Sequence, residues 1–417
     1  MPYYTRRETY RRRRIAVVSL VTVALVGIIY VGGTGLAPVP VAAATLTQPA
    51  DATQPAVQPA LPSFGSSAVG AVGFPGVLAA SGSTGTVPIA SITKMVTSLV
   101  ILDAKPLSGD APGPEITFTE VDIDFYYEAL AEGGSVAPVV GGMQLSQREA
   151  MLAMLLASGN NYAESLIVWA YGSEQAYLSA AADWLAEHGL TGTVVADASG
   201  ISSNSVSTTA DLIELAKLVT ANPALASMVA IPTIDLPVIG TVENTNTLLG
   251  PLPGVSDVTV TGMKTGTTDV AGSCLLFSAD ITVGSETVTV VGVVLNGESG
   301  LEVRQAVAAL IESMAPGFQQ VTLAEAGESF GQYSTAWGQS ARVVAAEAAS
   351  ALVWSDTAIT GTAAAESMQL GAVGDDIGSL DFLVGDQTVT VPLELETDLT
   401  DPGLGWRMGH PGELIDG

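Results

Sequence analysis

An α/β (α+β) chain with a mainly antiparallel sheet, followed by a small C-terminal all-β domain, is what the sequence predicts. Three observations predict it. Over 91–102 the apolar residues Ile92, Met95, Val96, Leu99 and Val100 share one helical face. Three β-rich runs, 258–261, 274–279 and 287–295, follow one another at the spacing of antiparallel strands. After about residue 316 the pattern changes to short alternating runs, such as 342–345, 351–354 and 388–395, broken by Gly, Ser and Asp.

The elements follow in order. Residues 1–14 carry Arg6, Arg7, Arg11, Arg12, Arg13 and Arg14 against Glu8 alone. Residues 15–33 are an apolar segment whose run 15–31, as a helix at about 1.5 Å per residue, spans roughly 26 Å, near the lower limit for crossing a bilayer. The arginines before it predict a cytoplasmic N-terminus. Two readings stand: a retained signal anchor, which the length of the run favours, or a signal peptide cut after Ala42-Ala43-Ala44. Either puts the rest of the chain outside the cytoplasm. Residues 34–62 hold Pro38, Pro40, Pro49, Pro55, Pro59 and Pro62 and a single charge, Asp51. That composition predicts a semi-extended linker reaching on the order of 90 Å. Globular patterning then covers 63–316. Ser146-Gln-Arg-Glu149 is a capping box opening a helix over 147–157, which Ser158-Gly159 ends. Helices are further predicted over 176–188, closed by Gly189, over 210–219 and over 302–314. The β domain spans 317–400, and an irregular tail covers 401–417.

Composition excludes several functions. The formal charge is −28, from 42 acids against 14 bases, and the N-terminal arginines leave the rest of the chain with 8 bases and 41 acids. A nucleic-acid binder needs a basic face for the phosphates, and this chain lacks one. One cysteine, Cys274, forms no internal disulfide and no cysteine-based zinc site. Two histidines, His188 and His410, leave little room for imidazole metal chemistry or a Ser-His-Asp triad. Catalysis here must be run by something other than histidine.

Three short motifs stand in order: Ser91-Ile-Thr-Lys94, Ser158-Gly-Asn160 and Lys264-Thr-Gly266. Singly each is common. Together they use two of only four lysines, the others being Lys105 and Lys217. Three residues apart on a helix, Ser91 and Lys94 meet on one face. A buried lysine facing another cation has a depressed pKa, so it can accept the serine proton. A helix N-terminus at Ser91 favours an alkoxide and the adjacent oxyanion. Ser158 offers a relaying hydroxyl, and Asn160 an amide for a substrate peptide bond. Lys264, Thr265 and Thr267 present a cation and two hydroxyls on a strand edge, suited to a carboxylate. Gly266 permits close backbone approach.

The set S-x-x-K, S-x-N and K-T-G marks the serine penicillin-recognising enzymes. The finer pattern resembles the low-molecular-weight D-alanyl-D-alanine carboxypeptidases, peptidase family S11. It rests on Pro88-Ile-Ala-Ser-Ile-Thr-Lys-Met95, Leu156-Ala-Ser-Gly-Asn160, Asp197-Ala-Ser-Gly200 with Ser207-Thr-Thr-Ala-Asp211, Asn244-Thr-Asn-Thr-Leu-Leu-Gly250, Lys264-Thr-Gly-Thr-Thr268 and Ala271-Gly-Ser-Cys274. The resemblance covers roughly 63–315 and is weaker over 320–400. It implies a β-lactamase/transpeptidase-like fold with a helical subdomain, and a D,D-peptidase acting on peptidoglycan stem peptides that end in D-Ala-D-Ala. Ser91 would attack the carbonyl between the two D-alanines, with Lys94 as general base and Ser158 passing the proton to the leaving amine. Backbone N–H groups of Ser91 and Thr267 would hold the oxyanion, and Lys264, Thr265 and Thr267 the terminal carboxylate. β-Lactams would acylate the same serine. No metal or cofactor is required. Two departures stand out: Asn161 occupies a position where the family often has Asp, and the family's C-terminal amphipathic membrane helix is not evident, so the N-terminal segment would serve as anchor.

Other residues read as structural. His188 ends a helix, and Cys274 lies in a β run as a buried thiol. Tyr126, Tyr127 and Trp184 either line a groove or pack in a core, the second being the default reading. Arg304 either assists Lys264 or pairs with Glu302 at the surface. Three alternatives compete with the carboxypeptidase. A β-lactamase would need a deacylating glutamate in an E-x-x-L-N context, and none follows the second motif. A D,D-endopeptidase shares every motif. A non-catalytic wall-binding scaffold would not need Ser91, Lys94, Ser158, Asn160 and Lys264 intact.

Overall fold

The computed structural model describes residues 6–415; positions 1–5 of the expected basic segment and 416–417 of the expected tail lie outside them. Among the described residues the α-helices are α1 (Arg6–Leu36), α2 (Thr93–Ala104), α3 (Glu120–Ala131), α4 (Gln147–Leu155), α5 (Asn160–Tyr171), α6 (Glu174–Glu187), α7 (Thr209–Ala221), α8 (Pro223–Val229), α9 (Gly300–Met314) and α10 (Gly403–Gly409). The chain divides into two units, Ala56–Phe318 and a second made of Met1–Pro55 with Gln319–Gly417.

In the unit Ala56–Phe318 a six-stranded antiparallel sheet runs in the order Gly250–Pro251, Val258–Thr268, Gly272–Val283, Glu286–Gly297, Ser66–Ala71, Ala79–Ser81. The three predicted β runs are its long central strands. Val and Leu on both faces of Glu286–Gly297 are buried, which explains its nearly unbroken apolar reading. Helices α2 and α4–α8 contribute to one continuous core with Met95, Met154, Tyr162, Leu212 and Leu276, each with no exposed surface. The mixed helical and antiparallel architecture agrees with the sequence reading, including the capping box: Ser146 accepts from the Glu149 amide at 3.2 Å, and Glu149 accepts in return from the Ser146 amide at 2.7 Å. Three helices escaped that reading, among them the short α8, capped by Asn222. Another is α3, opened by a Thr119–Asp122 capping box. The third is α5, which starts directly after Gly159. Ser158 takes a left-handed φ of 57°, so the chain breaks for only a few residues before a new helix begins.

In the second unit the expected all-β segment forms a sheet in the order Ala44–Leu46, Ser329–Ser334, Ser340–Ala345, Gln387–Leu395, Asp376–Val384, Ile359–Ala365. Tyr333, Val343, Leu380 and Leu393 fill its core. Two expectations fail here. The linker over 34–62 is extended, as its prolines require, but its first half is not free. Ala44–Leu46 pairs with 331–333, and Ala42 and Ala52 bridge Met368 and Ile359. The Gln48 amide imitates a strand residue, donating to the Ala363 carbonyl at 3.1 Å and accepting from its N–H at 2.7 Å. Unpaired edge N–H and C=O groups provide the reason, since an extended segment satisfies them. The tail is also not wholly irregular, because Gly403–Gly409 forms α10.

Candidate active site

The first motif sits on a sharp turn. Ala90–Ile92 is a 3₁₀ turn that runs into α2, and Ala90 has a left-handed φ of 46°. Ser91 is therefore half-buried at the mouth of the helix, while Lys94, one turn on, is fully buried. The Lys94 ammonium donates to three oxygens: Ser91 Oγ at 3.0 Å, Asn160 Oδ1 at 2.7 Å and the Ser199 carbonyl at 2.8 Å. Burial, reinforced by the charge of Lys264, holds its pKa well below the ordinary lysine range, with Asp197 and Glu164 opposing that shift.

Each partner of Lys94 is itself held. Asn160 opens α5, and its N–H donates to the Ser135 carbonyl at 2.8 Å. Ser199 lies on a loop organised by Asp197, whose carboxylate accepts from the Ser199 N–H (2.7 Å), the Ser199 hydroxyl (3.1 Å), the Ser202 N–H (2.7 Å) and the Gly200 N–H. Gly200 adopts φ +80°, and a Cβ there would stand 1.9 Å from the Ala90 carbonyl oxygen. Only glycine lets this loop close on the turn that carries Ser91. The departure at Asn161 also has a reason. Its amide donates to the Ala137 carbonyl (3.0 Å) and accepts from the Ala137 N–H (3.1 Å), a two-way pairing a carboxylate cannot make.

The third motif lies in Val258–Thr268. Register places Lys264 opposite Leu276, Gly266 opposite Cys274 and Thr267 opposite Ser273. A Cβ on Gly266 would come 2.8 Å from the Ser91 backbone nitrogen, so its absence is what lets this strand lie against Ser91. Lys264 is 1% exposed, and its ammonium has no hydrogen-bond partner among the described residues. Burial pulls its pKa down to about 7.

Between these walls lies a cavity of about 260 Å³, lined among others by Ser91, Ser158, Thr265, Gly266, Thr267 and Arg304. Ser91, Ser158 and the K-T-G strand thus converge, and Lys94 and Asn160 stand directly behind Ser91. Two details differ from expectation. The Asn160 carbonyl is taken by Lys94, which leaves only its Nδ2 for a substrate. Thr265 donates its hydroxyl to Thr245 Oγ1 at 2.6 Å. Thr245, within the Asn244–Gly250 stretch, also lines the cavity, as does Ser135, which was not singled out and sits in a loop whose approach no local pattern encodes. Arg304 faces the cavity and makes no ion pair among the described residues, because Glu302 instead accepts from the Glu298 N–H at 2.7 Å. Cys274 is a free buried thiol raised to about 11 by burial. His188 caps α6, its Nδ1 bonded to the Trp184 carbonyl at 2.8 Å and its ring stacked on Trp184.

A mixed helix–sheet fold with a serine on a sharp turn, a buried lysine behind it and a K-T-G strand beside one cavity defines the penicillin-recognising serine enzymes as a class. Residues 75–299 match the D-alanyl-D-alanine carboxypeptidase family, peptidase S11, and the chain belongs to that family. A D-alanyl-D-alanine endopeptidase of Pseudomonas aeruginosa is 31% identical over 202 residues, 47% of this chain; the match spans 60% of that relative's length. The fold is shared with penicillin binding protein 5 from Haemophilus influenzae (TM-score 0.56, 18% identity, 84% of this chain and 100% of that one). It is shared too with penicillin binding protein 6B from Escherichia coli (TM-score 0.57, 17% identity, 81% and 95%). A mutant of the Streptomyces K15 DD-transpeptidase also superposes, with TM-score 0.51, 22% identity and coverage of 62% and 98%.

Proposed function

We propose that this chain is a serine D-alanyl-D-alanine carboxypeptidase that removes the terminal D-Ala of peptidoglycan stem pentapeptides through an acyl-enzyme on Ser91. The observation that carries this reading is the set of partners around Lys94. A neutral amine has two hydrogens and one lone pair. The Asn160 and Ser199 oxygens can only accept, so they take the two hydrogens, and the lone pair is left facing the Ser91 hydroxyl at 3.0 Å. That is the geometry of a general base on its nucleophile.

Ser91 Oγ attacks the carbonyl carbon between the two D-alanines as its proton passes to Lys94. The oxyanion forms against the backbone N–H groups of Ser91 and Thr267, brought together by Gly266. On collapse the C–N bond breaks, and the proton on Lys94 passes by way of Ser158 to the leaving amine. Lys264, Thr265 and Thr267 hold the substrate's terminal carboxylate, and Arg304 adds a second cation; the unmet ammonium of Lys264 supports this. Water, deprotonated by Lys94, then cleaves the ester. β-Lactams acylate Ser91 in the same way. The apolar helix α1, with its arginines at the N-terminal end, anchors the chain as a single membrane span and leaves the catalytic unit on the wall side.

Incubation with a pentapeptide ending in D-Ala-D-Ala releases D-alanine from the wild type and none from Ser91→Ala. Absence of release together with absence of labelling by fluorescent penicillin would return the chain to a wall-binding scaffold. The Pseudomonas aeruginosa relative supports a second reading, crosslink cleavage, and crosslinked muropeptide dimers decide between the two.

A further inference from the structure

The last turns of α1 are not left bare where they emerge from the apolar run. Helix α10 packs alongside them. Tyr30 donates its hydroxyl to the Met408 carbonyl at 2.6 Å, and a Cβ on Gly35 would stand 2.9 Å from Leu404 Cδ2. Leu404 and Met408 are one turn apart, and their partners run the opposite way along α1, so the two helices are antiparallel. Five residues of α1 rise about 7.5 Å and four of α10 about 6 Å, so α10 descends along α1 almost as far as it extends. Arg407 locks the pair. It is 8% exposed, bridges to Asp401, and donates to the Gly35 and Ala37 carbonyls that the end of α1 leaves without intrahelical partners. Trp406 stacks on His410 and meets Trp337 edge-on, which ties α10 into the β unit.

This places Met408 at the level of Tyr30, the outer end of the apolar run and the depth at which tyrosine marks a bilayer boundary. From that level outward over about a turn and a half, several large apolar side chains are uncovered: Met408 is 38% exposed, Leu404 54% and Leu36 89%. They continue the surface of α1, whose apolar window is wholly unburied. Leu404 and Met408, four residues apart, share one face of α10, while Arg407 is turned inward.

We propose that α10 and the end of α1 form a helical hairpin seated in the outer leaflet, with Leu404, Met408 and Leu36 covered by lipid at the headgroup–acyl boundary. The β unit is then a base fixed on the membrane and not a domain on a free tether. The proposal rests on α1 spanning the bilayer.

The full-length protein, reconstituted in phosphatidylcholine–phosphatidylglycerol vesicles, carries a nitroxide on one introduced cysteine at a time: Ala24→Cys, Leu404→Cys, Met408→Cys or Val373→Cys. Cys274 is buried with a raised pKa, so brief labelling at neutral pH favours the introduced thiol. Relaxation by oxygen, which partitions into lipid, is compared with relaxation by a water-soluble nickel chelate. Ala24, Leu404 and Met408 are expected to favour oxygen at least several-fold over the ratio at Val373, which is 63% exposed in the same unit. Nickel access at Leu404 and Met408 with Ala24 in lipid overturns the hairpin alone. Nickel access at Ala24 overturns the membrane reading itself. Protection of Leu404 and Met408 from both reagents means a protein partner covers them, and this too overturns the proposal.

Discussion

The two lysines of the motifs are buried alike but held in opposite ways. The Lys94 nitrogen has three oxygens within hydrogen-bond distance, whereas that of Lys264 has no partner among the described residues. Leaving a buried donor unmet costs about 1–3 kcal/mol, and more for a charge. The fold bears that cost on the side where the proposed substrate brings a carboxylate, and it saturates the side where a proton must be exchanged. One wall is therefore complete without ligand, and the other is completed by it.

The largest effect that tests this contrast comes from the complete side. Lys94→Met should lower acylation by fluorescent penicillin and D-alanine release by about 10²–10⁴-fold.

Lys264→Met should separate activity from stability. Loss of a charge-assisted contact worth about 1.5–3 kcal/mol cuts kcat/KM for the pentapeptide roughly 10- to 100-fold. The folded protein should become more stable. The folded pKa of Lys264 is about 7 against an ordinary 10.5. The unfolded chain therefore binds more protons between these values, and the burden on the native state is full below about 7 and gone above 10.5. Thermal unfolding at neutral pH should show a higher Tm for the variant, and that gain should shrink toward pH 10. A fall in Tm would mean that Lys264 is paired in solution.

A pH profile sharpens the contrast further. Lys94 must be neutral and Lys264 charged, so kcat/KM should be bell-shaped. The acid limb is lost as Lys94 takes up its proton, and the alkaline limb as Lys264 loses one from about 7 upward. In Lys264→Arg the alkaline limb should move to much higher pH while the acid limb stays. Movement of both limbs together would break the assignment.

The smallest effect belongs to the second unit. Arg342 pairs with Glu396 at the surface, with side-chain exposures of 57% and 35%. Arg342→Ala should leave peptide hydrolysis unchanged and Tm within error, because exposed ion pairs contribute little.

Much of this molecule is legible without coordinates. The 3.6-residue spacing after Ser91, the capping box at Ser146 and the apolar runs after Val258 report local physics, and each became the expected kind of element. The three motifs name the chemistry because few side chains can supply it. Local pattern is silent where the answer depends on a surface built elsewhere. The proline-rich stretch reads as a spacer, yet Ala44–Leu46 and Gln48 complete a sheet whose open edges belong to residues some 300 positions away. Ser135 reaches the cavity from a separate segment, and nothing in its own neighbourhood marks it.

The sequence by itself determined the element types, the apolar N-terminal helix and the residues able to exchange a proton with a serine, since these follow from periodicity, composition and functional-group chemistry. Only the tertiary structure decided which lysine would be satisfied and which left waiting. Hydrogen-bond partners and desolvation depend on atoms that meet across the fold, and no spacing along the chain encodes that meeting.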